Sequence, residues 1–213
     1  MKLICFSSNT AGGLLCNLLN NKFYPGIHLG YSLPSDEHDA MKMGVSSATI
    51  QRTVDVDEWN VRAQQLKDSD LWYGTHLHPS AIPGLDLFAK VLAITTTSRM
   101  SKLYRWLRYY HGWFKSVETS WEETEELVKI DKIRCLSKNV FEEFTPHPGC
   151  KNVEFEDIVS GKFINENDLN IEYFTHWKSH NSWLYPVDEA SWAVKRFNEA
   201  EYEITTKQPF KYI

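Results

Sequence analysis

The chain has 213 residues, 42% of them apolar and 24% charged: long enough for one well-buried core, and too ordinary for a disordered or fibrous protein. A formal net charge of −5 argues against the broad positive footprint of a general nucleic-acid coat protein, so no nucleic-acid partner is expected. It leaves open a pocket for a small phosphorylated ligand, which depends on the local field rather than the total charge. The four cysteines (Cys5, Cys16, Cys135 and Cys150) form no CxxC pair and no cluster with histidine, so neither a metal site nor a disulfide framework is expected.

Residues 3–6 make a short, continuous apolar run of the kind that forms a central parallel strand covered on both faces. Nothing bulky follows in Ser7-Ser8-Asn9-Thr10-Ala11-Gly12-Gly13, and helical spacing begins at once with Leu14, Leu15, Leu18 and Leu19. Strand, small-residue turn and helix are the first half of a βαβ unit. The apolar run is too short for a signal peptide or a membrane span, so a soluble, cytoplasmic protein without a membrane partner is expected. Cys5 and Cys16 lie in apolar stretches and are expected to pack as small buried hydrophobes.

Tyr24-Pro25-Gly26 breaks the chain; residues 27–33 read as a strand or an irregular segment, and 56–66 as a helix with Trp59 and Leu66 inward. Residues 71–73 read as a short strand that ends at Gly74-Thr75-His76-Leu77-His78-Pro79. Pro79, Pro83 and Gly84 keep the next segment from forming one regular helix. Val91-Leu92-Ala93-Ile94 is the clearest later strand, and Leu103, Trp106, Leu107 and Tyr110 mark a helix over 101–111. Helix is expected over 120–144, unbroken or interrupted near Asp131, opened by the capping box Ser120-Trp121-Glu122-Glu123 and ended by Pro146, Pro148 and Gly149. Val153-Glu154-Phe155 reads as a strand, 156–160 as a helical turn, 167–177 and 186–201 as helices, with an irregular tail. The whole reads as one α/β domain over 1–213.

Three places carry candidate chemistry. In the first turn, the backbone N–H groups of small residues and the start of the helix suit an anion, and Ser8, Asn9 and Thr10 add side-chain donors to Ala11, Gly12 and Gly13. The bland alternative is a tight turn that binds nothing, and GxxxxGK[ST] is absent. At the second place, His76 ends a strand, where an imidazole can take a proton from a hydroxyl near neutral pH. The bland alternative is a histidine with no catalytic part, and His78 faces the other way if the segment is extended. The third is Thr95-Thr96-Thr97-Ser98-Arg99-Met100-Ser101, a second anion-friendly turn whose arginine can grip phosphate in a fork. Its alternative is capping by Ser98 or Ser101 with Arg99 in solvent. Glu156 and Asp157 read as helix-start acids, as partners that order a neighbour, or as surface charge.

In order, these segments resemble the sulfotransferase family over about residues 3–158. The stretch from Phe6 to Leu15 is similar to the family's PKSGTTWL loop for the 5′-phosphate, and Gly74-Thr75-His76-Leu77 to its KTHLP, whose histidine is the base. The stretch from Ile94 to Arg105 is similar to the strand, arginine and serine that hold the 3′-phosphate, and Val153 to Ile158 to a strand ending in an acidic run. The resemblance implies a three-layer α/β/α, P-loop NTPase-like fold with a central parallel sheet. It also implies the donor 3′-phosphoadenosine 5′-phosphosulfate and a small-molecule or carbohydrate acceptor. His76 would be the base; Ser8, Asn9, Thr10, Ala11, Gly12 and Gly13 would hold the 5′ end, and Thr97, Arg99, Ser101 and Arg105 the 3′-phosphate. The family's basic loop residue is replaced around Ser8, and the lysine of KTHLP by Gly74. A nucleotide-binding kinase relative and a catalytically silent interaction protein on the same core are the alternatives.

Overall fold

A computed structural model describes residues 2–7, 10–21, 68, 70–82, 84–114, 143–180 and 192–207. The first apolar run forms strand β1 (Lys2–Phe6), and the leucine-spaced segment forms helix α1 (Gly12–Asn20). Strand β2 (Trp72–Thr75) follows, then two short 3-10 turns, Pro79–Ala81 and Leu85–Leu87, where proline and glycine break the helical pattern. Strand β3 (Lys90–Thr95) leads into helix α2 (Arg99–Phe114). Strand β4 (Lys151–Glu154) precedes helices α3 (Phe155–Val159), α4 (Lys162–Glu166), α5 (Ile171–His180) and α6 (Trp192–Thr206).

The four strands form one all-parallel sheet in the order β2-β1-β3-β4. Cys5 sits between Thr75 of β2 and Ala93 of β3, and Thr95 is opposite Glu154 of β4. Both faces are buried, which is why β1 and β3 are apolar without alternation. One face presents Ile4, Phe6, Leu92, Ile94 and Val153 to a core that includes Leu15, Trp106, Ile164, Trp177 and Phe197 from the helices. On the other, Leu3, Cys5, Tyr73 and Ala93 pack with Leu77, Ile82, Phe88 and Phe144. Among the described residues all the helices lie on the first face. The expected segments at 27–33 and 56–66, and most of 120–144, lie outside the described residues, and so does Cys135.

Several boundaries differ from expectation. Helix α2 starts two residues earlier than 101 because the Ser98 hydroxyl accepts the Ser101 N–H at 3.0 Å and caps it. Glu143 and Phe144 are not helical: Phe144 exchanges its backbone groups with Thr96, its N–H reaching the Thr96 hydroxyl at 2.9 Å. The helix expected over 167–177 runs instead from Ile171 to His180: Asn167 closes the preceding α4 by bonding back to the Phe163 carbonyl, and Asn170 opens α5 by accepting the Tyr173 N–H. The tail stays helical to Thr206, where packing of Val194, Phe197 and Ala200 anchors the helix from which it extends. Cys5 and Cys16 are buried as expected, and burial pushes the Cys16 thiol up to about 12.

Candidate functional site

The three polar segments singled out in the sequence converge at one end of the sheet, because β2, β1 and β3 are neighbours and parallel. From β1 the chain leaves into α1, on the face of Ile4 and Phe6; from β2 it leaves toward Leu77 and Ile82, on the face of Leu3 and Cys5. Adjacent strands whose exits part to opposite faces open a crevice at their carboxyl ends, the usual ligand position in open α/β sheets.

His76 and the end of β1 meet at this crevice. The Phe6 ring lies edge-on to the His76 ring with centroids 4.5 Å apart, and the His76 Nδ1 is buried. Thr10 is fully buried, and its hydroxyl donates to the Ser7 carbonyl at 2.6 Å, so it closes the turn rather than facing a ligand. Ala11 takes the left-handed φ of 57° and caps α1 with no side-chain hydrogen bond. Its carbonyl receives the Leu15 N–H at 3.1 Å, so the N–H groups of Gly12, Gly13 and Leu14 come before the first helical bond. Among the described residues the buried Ser7 hydroxyl oxygen has no hydrogen-bond partner. A helix start without a side-chain cap, entered from a turn that carries this hydroxyl, fits an anion.

The two glycines of the turn play different parts. A Cβ on Gly12 would stand 2.2 Å from Phe6 Cγ, so the bare α-carbon is what lets the Phe6 ring settle beside His76. Gly13 is exposed, and among the described residues nothing lies within 4 Å of a Cβ there. Ser8 and Asn9 lie outside the described residues.

The second turn is already occupied by the chain's own carboxylate. Glu154, the last residue of β4, accepts the Thr97 N–H at 3.2 Å, the Thr97 hydroxyl, the Ser98 N–H at 3.5 Å and the Ser101 hydroxyl at 2.7 Å. Ser98 also donates its hydroxyl to Glu156 at 2.9 Å, and Ser101 Oγ accepts the Glu156 N–H at 2.9 Å. Thr97 and Ser101 are therefore brought together, but on a protein acid. Arg99 turns away to α6, with a guanidinium nitrogen on Asn198, Nε 3.8 Å from Glu201 and the cation over the Phe197 ring. Arg105 lies one turn beyond Ser101 and is buried in α2. His78 caps the first 3-10 turn, with Nδ1 2.7 Å from the Ser80 hydroxyl and Nε2 3.0 Å from the Thr145 carbonyl oxygen.

Glu154 is the residue that sequence reasoning passed over in favour of Glu156 and Asp157. A strand-terminal acid facing a run of Thr and Ser was the available signal, but only strand pairing aligns the two. Burial raises its carboxyl pKa, and hydrogen bonds from Thr97, Ser101 and Thr95 outweigh that and leave it below the ordinary 4.5. The folded state thus binds this proton more weakly than the unfolded chain. The stabilisation is complete above the unfolded value and is lost as pH falls through the lower folded one. Urea midpoints are expected to fall between about pH 5 and about pH 3, and to fall less in a Glu154→Gln chain; equal slopes for both chains would show that the site does not contribute.

Among the described residues no group of three His, Cys, Asp or Glu is placed to hold a metal, and no helix is long and apolar enough to cross a membrane. No protein-family model, curated protein or solved structure matches this chain.

Proposed function

We propose that this chain is a sulfotransferase-like enzyme on a P-loop-like α/β/α fold, moving a sulfuryl group from a nucleoside 5′-phosphosulfate to an acceptor hydroxyl or amine. The donor implied by the resemblance is 3′-phosphoadenosine 5′-phosphosulfate. The observation that carries the reading is the packing of His76 against Phe6, the last residue of β1, whose ring also lies against Gly12 at the start of α1, at the crevice where β1 and β2 part. With Leu14-Leu15 set on the last two residues of PKSGTTWL, Thr10 falls on the motif's serine and Ala11 on its glycine. Ala11 has the positive φ that a glycine adopts without strain, which supports that alignment.

In this reading the amides of Gly12, Gly13 and Leu14 and the Ser7 hydroxyl hold the 5′-phosphate, and the helix dipole offsets its charge. The acceptor oxygen attacks sulfur in line, and the bond from sulfur to the 5′-phosphate oxygen breaks with its electron pair. His76 takes the acceptor's proton. The products are a sulfated acceptor and the nucleotide with a free 5′-phosphate. No lysine lies in the turn from Ser7 to Gly13, which disfavours transfer of a terminal phosphoryl group from a nucleoside triphosphate.

Calorimetric titration tests this directly. Adenosine 3′,5′-bisphosphate is expected to bind and adenosine triphosphate to bind at least tenfold more weakly, about 1.4 kcal/mol. A preference for the triphosphate would favour the kinase reading. Binding of neither up to millimolar concentration would reject both enzyme readings and leave the silent interaction protein.

A further inference from the structure

The exits of β1 and β3 are adjacent, so a ligand with two separated anionic groups would use both turns, one group at the start of α1 and the other at the start of α2. The second position is filled from within. Two backbone N–H groups and two hydroxyls, from Thr97, Ser98 and Ser101, all converge on the Glu154 carboxylate, which is tethered at the end of β4 and needs no diffusion to arrive. A ligand phosphate there would have to displace this acid from its donors or lie beside it, like charge against like. The arginine of the turn does not offset that repulsion, since Arg99 is engaged with Asn198, Glu201 and Phe197 on α6.

We infer that Glu154 is a specificity-determining residue: its carboxylate stands in for a second ligand phosphate, so the site takes a nucleoside 5′-phosphosulfate by its 5′ end and does not select for a 3′-phosphate. This rests on the reading of the β1–α1 turn as the 5′-phosphate site. It narrows the donor class to nucleoside 5′-phosphosulfates for which a 3′-phosphate brings no gain in binding.

The test is calorimetry on the full chain with adenosine 5′-phosphate and adenosine 3′,5′-bisphosphate as probes. The unaltered chain is expected to bind the two within about threefold of each other. Glu154→Ala, which empties the cradle and removes the competing charge, is expected to raise affinity for the bisphosphate about tenfold and leave that for the monophosphate unchanged. A tenfold or larger preference of the unaltered chain for the bisphosphate overturns the inference while leaving the 5′-phosphate site standing. So does an alanine chain whose affinities for both probes are unchanged. Binding of neither probe overturns the 5′-phosphate reading and this inference together. If the alanine chain does not fold, the ratio in the unaltered chain decides alone.

Discussion

Replacing His76 with alanine is expected to lower the rate of sulfuryl transfer about 10²- to 10⁴-fold while nucleotide affinity stays within about threefold. The split follows from geometry. His76 follows β2 directly, whereas the groups assigned to the 5′-phosphate belong to the β1–α1 turn and α1, so removing the imidazole leaves the anion site's own donors in place. The imidazole is held against the Phe6 ring at 4.5 Å, which fixes its plane before any acceptor arrives. Single-turnover rates with a phenolic acceptor, measured beside calorimetry with adenosine 3′,5′-bisphosphate, separate the two quantities. A His76→Ala chain that transfers at the original rate, or one that loses its nucleotide affinity by more than tenfold, would remove His76 from the role of base.

Gly12→Ala is expected to destabilise the protein by about 1–3 kcal/mol and to lower transfer as well, although alanine is the better helix former. The added methyl would overlap the Phe6 ring at 2.2–2.4 Å, a separation no rotamer of a one-carbon side chain can relieve, so the ring must move. Phe6 in turn packs against His76, so the disturbance reaches the proposed base through one intervening side chain. Gly13→Ala is the control next door: among the described residues its Cβ meets nothing within 4 Å, and stability is expected to be unchanged or up to about 1 kcal/mol higher. Chemical denaturation of both variants checks the sign. Combining Gly12→Ala with Phe6→Leu should recover part of the loss, because the two changes share one contact. Equal stabilities for the two alanine variants would show that Phe6 does not need the bare α-carbon.

Much of the sheet was legible because buried parallel strands are written as unbroken apolar runs. Residues 3–6 and 91–94 announced β1 and β3, and the leucine spacing after Gly13 announced α1. Helix ends were less legible, since they depend on partners distant in sequence. Glu143 and Phe144 carry a helical pattern, yet Thr96, 48 residues away, holds the Phe144 backbone in an irregular path. The late start of α5, at Ile171 rather than 167, turns on Asn167 and Asn170, whose side chains take up backbone groups that a helix through 167–170 would have used.

The small-residue turn and His76 were both visible as residues suited to anion binding and proton transfer, and local chemistry was enough to single them out. That they face one crevice was decided by strand order, since 65 positions separate Phe6–Ser7 from the strand that ends at Thr75. The Thr- and Ser-rich turn was likewise legible as a cradle for an anion. Which anion it holds was not, because Glu154 enters it only through the pairing of β3 with β4. Sequence spacing specifies the hydrogen-bonding capacity of a segment; long-range pairing, set by the burial of both faces of the sheet, specifies which partner takes it up.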